Sequence, residues 1–227
     1  MTTTLITGSN KGLGYETARQ LIGAGHDVWI GARDPERGAA AAHTLGARFV
    51  QLDVTDEASV SAAVATVGEL DVLVNNAGIL GGTEAVGDVT AEAVRHVYET
   101  NVFGVVRVTH AFLPLLEKSA APVVVNLGSA LGSLALNSDP DTLASSFAVL
   151  AYQSSKTALN MITVQYAKAY PGMRINCVDP GYTVTDFNGG GGDRTVGEGA
   201  EIVVRMASAG GDGPTGGFFN SAGPQPW

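Results

Sequence analysis

Short apolar runs alternate with longer helix-like segments along the whole chain, and this alternation restricts the fold more than any other feature. The apolar runs are nearly continuous in valine, isoleucine and leucine, as in a parallel sheet covered on both faces. They predict strands at residues 5–7, 27–31, 48–52, 71–75, 122–127 and 173–178, with an edge strand near 216–219. Helical spacing predicts helices at 12–24, 37–45, 57–67, 91–116, 152–170 and from 195 to about 207. We therefore predict one doubly wound α/β domain over residues 1–227, with a parallel sheet of about seven strands and helices on both faces.

Composition and charge exclude several classes of protein. Hydrophobic residues make up 45% of the 227 residues and charged residues only 15%, which supports a large core and argues against disorder. The net charge of −9 argues against a nucleic-acid partner, which needs a basic face. The only cysteine, Cys177, rules out an internal disulfide and falls in a predicted strand, so we expect it in the core of a protein from a reducing compartment.

The absence of three sequence features bears on the location of the protein and on metal binding. The sequence has neither a charged leader followed by a long apolar run nor any apolar run of 18 or more residues. We therefore expect a cytoplasmic protein without a membrane-spanning helix. The four histidines show no ligand spacing, so no metal site is expected.

A glycine-rich turn follows the first predicted strand and opens the first predicted helix. It reads Thr7-Gly8-Ser9-Asn10-Lys11-Gly12-Leu13-Gly14. Gly8 permits a tight turn, Gly12 permits close approach of a pyrophosphate, and Gly14 permits close packing of the helix on the strand. The helix N-terminus offers free N–H groups and a positive dipole end to a phosphate, whereas the alternative is a glycine-rich turn without a ligand. The strand–turn–helix context favours a Rossmann-type dinucleotide site.

The second strand ends in Ala32-Arg33-Asp34, which indicates the dinucleotide. NAD-binding domains place an acid here for the ribose hydroxyls, whereas an arginine accommodates the 2′-phosphate of NADP. Ala32 is not an acid, Arg33 follows it, and Lys11 supplies a second cation on the adenosine side. Arg33 is alternatively a solvated residue at a helix start, and Asp34 is predicted to cap that helix. We expect NADP(H) as the cofactor.

Tyr152 and Lys156 lie four residues apart in a predicted helix, so their side chains share one helix face. A phenol with a pKa of about 10 is a poor acid or base at neutral pH, but a neighbouring cation favours its ionised form. At about 4 Å and an effective dielectric of about 20 the Coulomb energy is about 4 kcal/mol, which lowers the pKa of the tyrosine towards neutral. The same spacing occurs in surface pairs, so its meaning depends on the rest of the chain.

Four motifs occur in the order in which one enzyme family carries them. They are the glycine turn, Asn75-Asn76-Ala77-Gly78 after the fourth strand, Tyr152-x-x-x-Lys156, and Pro180-Gly181 after the sixth strand. In these motifs essentially the whole chain resembles the short-chain dehydrogenase/reductase family, and most of all its NADPH-dependent carbonyl-reductase-like branch.

The resemblance implies a site. The implied catalytic set is Asn101, Ser129, Tyr152 and Lys156. The resemblance also implies which positions bind the cofactor. They include Tyr152, Lys156, Arg33 and the glycine turn from Gly8 to Gly14, together with Asp53 and Val54 on the adenine side. The floor residues are Asn76, Ala77 and Gly78, and the residues around the nicotinamide carboxamide are Pro180, Gly181, Thr183 and Thr185.

The resemblance also implies a mechanism. NADPH delivers a hydride to the carbonyl carbon of a small-molecule substrate while Tyr152 protonates the oxygen, and alcohol oxidation reverses these steps. Lys156 lowers the pKa of Tyr152 and holds the nicotinamide ribose, and Ser129 steadies the developing alkoxide. Asn101 lies at a helix irregularity that supports a water-linked proton relay. From position alone, Ser129 fits a strand-end cap equally well, and Asn101 fits a surface or capping residue.

Two other functions share part of this pattern. A dinucleotide-binding regulator that senses redox state without turnover typically lacks the tyrosine or the lysine, and both are present here. An enoyl reductase usually separates the two by more than three residues.

The substrate loop, at about residues 185–197, is short and rich in glycine and predicts an open cleft. The connection from Ser129 to Tyr152 is of intermediate length, so monomer, dimer and tetramer all stay open.

Overall fold

One sheet of eight strands forms the centre of the computed structural model, which describes residues 1–227. The strands are β1 Thr3–Thr7, β2 Asp27–Ala32, β3 Arg48–Gln51, β4 Val72–Asn75, β5 Val123–Leu127, β6 Arg174–Val178, β7 Phe218–Asn220 and β8 Gly223–Pro224. Their order across the sheet is β3-β2-β1-β4-β5-β6-β7-β8. The first seven strands are parallel, which confirms the doubly wound α/β prediction. The eighth, antiparallel to β7, was not predicted because two residues after a tight turn carry no periodic signal.

Helices cover both faces of the sheet. They are α1 Gly12–Gly23, α2 Pro35–Leu45, α3 Glu57–Val67, α4 Ala91–Tyr98, α5 Val105–Leu116, α6 Leu134–Ser138, α7 Leu150–Ala169 and α8 Val196–Ala207. The side chain of Asp34 accepts hydrogen bonds from the backbone of Glu36 and Arg37, which confirms the predicted cap of α2. Thr195 and Glu198 form a capping box at the start of α8. None of the helices is long and apolar enough to cross a membrane.

The predicted helix at residues 91–116 is interrupted. A six-residue π-helix, Glu99–Gly104, lies between α4 and α5. A π-helix inside an α-helix is rare and is often found at functional sites. The interruption places Asn101 in the irregular segment, as the resemblance implied.

Alternation of side chains along the strands divides the core into two layers. Leu5 faces one layer, with Trp29 and Phe112, and the neighbouring Ile6 faces the other, with Ile30 and Val203. All six side chains are buried, as expected when a parallel sheet has helices on both faces. Cys177 on β6 is fully buried, which confirms its predicted place in the core.

The strand order reverses beside β1, which has β2 on one side and β4 on the other. Helices that follow β1 and β4 therefore leave in opposite directions, and a crevice forms at the carboxyl ends of these strands. Thr7 ends β1 and Asn75 ends β4 at this crevice.

Candidate active site

The glycine turn has the backbone geometry of a phosphate-binding loop. Gly8 and Gly12 have φ values of +64° and +58°, which side chains with a Cβ rarely adopt. Helix α1 begins just after Lys11 without any side-chain cap, whereas the starts of α2, α3, α4 and α8 are capped. The first N–H groups of α1 are therefore available to an anion, and a Cβ on Gly12 would meet only Thr185, at 4.0 Å. This open cradle fits the pyrophosphate of a dinucleotide.

The loop after β4 packs against this turn and bonds to it. Asn76 Nδ2 donates hydrogen bonds to the carbonyl oxygens of Thr7 at 2.7 Å and Gly8 at 3.1 Å. A Cβ on Gly14 would lie 2.5 Å from Asn76 Nδ2, and a Cβ on Gly8 would lie 2.9 Å from the Ala77 Cα. The close approach that Gly14 permits is therefore to the Asn76 side chain and the turn itself.

The predicted adenosine-side residues lie at the ends of β2 and β3. Arg33 is exposed and forms no ion pair, so its guanidinium is free to meet a phosphate. Asp53 accepts hydrogen bonds from the Thr55 backbone at 2.9 Å and its hydroxyl at 2.7 Å, which fixes the loop that carries the buried Val54. These side chains fit the adenosine end of the cofactor.

Lys11, in the phosphate turn, pairs with a residue of the substrate loop. Its ammonium is paired at 3.2 Å with Asp186 in the substrate loop, and both side chains are largely exposed. It therefore joins the phosphate turn to the substrate loop. The sequence could not predict this contact because the partners are 175 residues apart.

Tyr152 and Lys156 are both buried, so the alternative of a surface pair is wrong. Tyr152 is 8% exposed and Lys156 is 5% exposed. The Lys156 Nζ donates a hydrogen bond of 2.6 Å to the carbonyl oxygen of Leu127 and lies 5.5 Å from the centroid of the Tyr152 ring. Helix α7 thus holds both side chains against the end of β5.

The electrostatics of this pair differ from the prediction. Burial raises the pKa of the Tyr152 phenol, hydrogen bonding by Ser129 opposes the change, and the nearby Asp179 adds to it. Burial lowers the pKa of Lys156 to about 8. Burial is the largest influence on the pKa of Tyr152, and the Lys156 ammonium is bonded to Leu127 instead of acting on the phenol in this structure.

Asn101 is held by the chain around it. Its Oδ1 accepts a hydrogen bond from the Ile79 backbone at 2.9 Å, and its Nδ2 donates to the Ile79 carbonyl at 2.9 Å and to Ser155 Oγ at 3.1 Å. With 1% exposure it is neither a surface nor a helix-capping residue. A Cβ on Gly78 would lie 3.4 Å from Asn101 Oδ1 and 3.8 Å from Lys156 Nζ, so three predicted site residues converge at one point.

Ser129 caps the end of its strand and lies beside Tyr152. Its hydroxyl accepts a hydrogen bond from the Leu131 backbone at 3.2 Å, as a strand-end cap does. It also lies beside the Tyr152 phenol, where it opposes the rise in the pKa of that group. The serine therefore lies beside the tyrosine, as predicted.

The nicotinamide-side segment forms a tight turn after β6. Asp179, which sequence reasoning missed, accepts a hydrogen bond from the Gly181 backbone at 3.1 Å. Gly181 has a φ of +77°, and the buried Thr183 donates to the carbonyl oxygens of Pro180 and Gly181, each at 3.2 Å. Burial raises the pKa of Asp179. The position directly before Pro180 was the available signal for this carboxylate.

The substrate loop contacts Tyr152. Phe187, also missed, lies against Tyr152 with the ring centroids 5.7 Å apart. Residues Asp186–Asn188 form a 3-10 turn, and positive φ values at Gly189 and Gly190 turn the chain back, with a hydrogen bond from Gly190 to Thr185. The glycines thus fold the loop over the tyrosine.

Comparisons with known proteins agree with this geometry. The short chain dehydrogenase family model matches residues 2–194. A (+)-neomenthol dehydrogenase from Capsicum annuum is 33% identical over 296 aligned residues, which cover 95% of this chain and 94% of that protein. Because the alignment is longer than this chain, the relative carries insertions that this chain lacks.

Solved structures match over nearly the full length. Salutaridine reductase from Papaver somniferum superposes with a TM-score of 0.85 at 31% identity, covering 97% of this chain and 100% of that one. NADPH-bound carbonyl reductase from chicken fatty liver superposes with a TM-score of 0.87 at 29% identity, covering 99% and 98%.

The fold and the site define an α/β oxidoreductase that uses a nicotinamide cofactor. The chain belongs to the short-chain dehydrogenase/reductase family.

Proposed function

We propose that this protein is an NADPH-dependent carbonyl reductase that converts a ketone, aldehyde or quinone to an alcohol. The observation that carries the proposal is the convergence of buried Lys156 and Asn101 beside Gly78, with the buried Tyr152 ring centred 5.5 Å from the Lys156 ammonium. Four relatives supply context: a neomenthol dehydrogenase, an isopiperitenone reductase, a salutaridine reductase and a carbonyl reductase.

Different residues would bind different parts of the cofactor. Backbone N–H groups of the glycine turn would meet the pyrophosphate, and Arg33 would meet the 2′-phosphate, since it has no competing carboxylate. Asp53 and Val54 would hold the adenine, while Lys156 and the Pro180–Thr185 segment would hold the nicotinamide ribose and carboxamide. When bound, the reduced nicotinamide supplies the hydride.

Tyr152 acts as the general acid. A buried phenol with a raised pKa stays protonated across the physiological range, so its proton is available to the carbonyl oxygen. Ser129 stabilises the alkoxide that develops beside it. Lys156, with a pKa of about 8, then returns a proton to the Tyr152 phenolate and regains one from solvent through a water that the Asn101 segment would hold, since both groups lie within 4 Å of a Cβ on Gly78.

Aromatic side chains next to Tyr152 indicate the kind of carbonyl compound. Phe187 is 42% exposed beside the tyrosine, and Tyr182 packs edge-on against Phe147 with centroids 6.2 Å apart. The one charged side chain of the 3-10 turn, Asp186, is already paired with Lys11. An uncharged, largely apolar carbonyl compound is the substrate that this surface favours.

A cofactor assay tests the proposal. NADPH and NADH are each offered with a panel of ketones, aldehydes and quinones, and oxidation of the nicotinamide is followed by absorbance. We expect NADPH oxidation with apolar ketones and little with NADH. Tight NADPH binding without turnover of any compound would instead support a non-catalytic sensor of NADP(H).

A further inference from the structure

Arg107 on α5 joins three separate parts of the chain, and none of the catalytic steps above uses it. Its Nη1 donates a hydrogen bond of 2.7 Å to the carbonyl oxygen of Val54. Its Nε contacts Glu57 and its Nη2 contacts Glu99, each at 2.9 Å. The side chain is only 15% exposed, unlike the other paired arginines, which are 57% exposed or more.

The three partners are not random surface groups. Val54 carries the backbone of the proposed adenine-side loop, Glu57 is the first residue of α3, and Glu99 is the first residue of the π-helix. Asn101 follows two residues later in the same π-helix. One guanidinium therefore connects the adenine end of the site with the segment that holds a proposed catalytic residue.

A second observation at the same place is independent of charge. Gly104, the last residue of the π-helix, lies so close to Val54 that an added Cβ would be 2.9 Å from Val54 Cγ2 and 3.2 Å from its carbonyl oxygen. The π-helix and the adenine-side loop are thus in direct contact, with no room for a methyl group between them. Arg107 bonds to the same carbonyl from the next turn.

We propose that Arg107 and Gly104 form a positioning clamp that sets the place of Val54 at the adenine end of the cofactor site. The inference rests on the proposed function, since it concerns the binding of that cofactor. A loop that carries an adenine contact gains affinity when its bound position is already fixed. Arginine suits this task because its planar guanidinium holds five N–H donors in a rigid arrangement, whereas lysine has three donors on a flexible stem.

The test measures binding without turnover. Dissociation constants for NADPH and for 2′,5′-ADP, which carries only the adenosine end, are determined by calorimetry for wild type and variants. Arg107→Ala is expected to raise both constants about tenfold, the effect of losing one buried hydrogen bond. The loss in binding should exceed any change in kcat at saturating NADPH, because Arg107 bonds directly to the adenine-side loop and reaches the π-helix only through Glu99.

Matched variants separate the clamp from general stability. Arg95→Ala removes an arginine that pairs only with Glu92 on the surface, and it should leave both constants unchanged. Glu57→Gln with Glu99→Gln keeps the bond to Val54 and should change them less than about threefold. Should Arg107→Ala fail to fold, Gly104→Ala displaces Val54 directly and should raise the constant for 2′,5′-ADP in the same way.

Three results would overturn the inference. They are an unchanged constant for 2′,5′-ADP in both Arg107→Ala and Gly104→Ala, an effect on kcat alone, or an equal effect of Arg95→Ala. Failure of the proposed function is seen separately, as wild-type protein that binds 2′,5′-ADP but reduces no carbonyl compound.

Discussion

Lys156 donates its hydrogen bond to Leu127 at 2.6 Å, so the ammonium of α7 is fixed at the carboxyl end of β5. The lysine and the tyrosine are therefore positioned by different means. Lys156 is held by a backbone carbonyl, whereas Tyr152 is held by burial, Ser129 and the ring of Phe187.

The pH dependence of reduction should follow Lys156. Burial lowers the pKa of this lysine to about 8, so its ammonium is present below that pH and lost above it. Tyr152 stays protonated over the same range because its pKa is raised. We expect kcat for reduction to fall as pH rises through about 8. A kcat that is constant up to pH values near about 10, the range of an ordinary lysine, would contradict the assignment.

Removal of the Tyr152 hydroxyl should abolish turnover without loss of cofactor. Tyr152→Phe keeps the buried ring and its contact with Phe187 but cannot donate a proton. We expect kcat to fall by at least about a hundredfold, the usual contribution of general acid catalysis, with an unchanged dissociation constant for NADPH. Tyr166→Phe on the same helix, where the ring stacks on Tyr170, is the matched control and should keep full activity. Activity at the wild-type level in Tyr152→Phe would contradict the role of the phenol as general acid.

Arg33 should decide between the two nicotinamide cofactors. Its guanidinium has no carboxylate partner, and a charge-assisted bond to a phosphate contributes about 1.5–3 kcal/mol. Arg33→Ala is therefore expected to weaken NADPH binding by about tenfold to a hundredfold, and to leave NADH nearly unaffected. Arg37→Ala, which removes an arginine paired with Asp34, serves as the control. Equal losses for NADPH and NADH in Arg33→Ala would rule out a contact with the 2′-phosphate.

The phosphate turn should not tolerate a methyl group at Gly14. In Gly14→Ala the new Cβ would lie 2.5 Å from Asn76 Nδ2 and 2.9 Å from the Ser9 Cα. The turn or the Asn76 side chain must move, so we expect a lower melting temperature and weaker NADPH binding. Gly23→Ala, at a helical glycine with nothing within 4 Å of the added Cβ, should be neutral or stabilising. Melting curves with and without NADPH distinguish the two, and equal behaviour would show that the turn is not closely packed.

Local patterns were sufficient for the framework of this protein. The seven parallel strands, most helices, the caps at Asp34 and Thr195, and the glycine turn each depend on residues near one another in sequence. Tyr152 and Lys156 share a helix face for the same reason. Asn101 and Ser129, in contrast, were identified only through a resemblance, because an asparagine or a serine alone carries no specific signal.

The sequence by itself determined the doubly wound topology and the presence of a tyrosine and a lysine on one face of α7, since spacing along a helix or strand is a local property. Only the tertiary structure decided their electrostatics. Burial raises the pKa of Tyr152 and lowers that of Lys156, and burial depends on elements far away in the chain. The pairing of Lys11 with Asp186 and the clamp of Arg107 on Val54 have the same origin, because they join residues 175 and 53 positions apart.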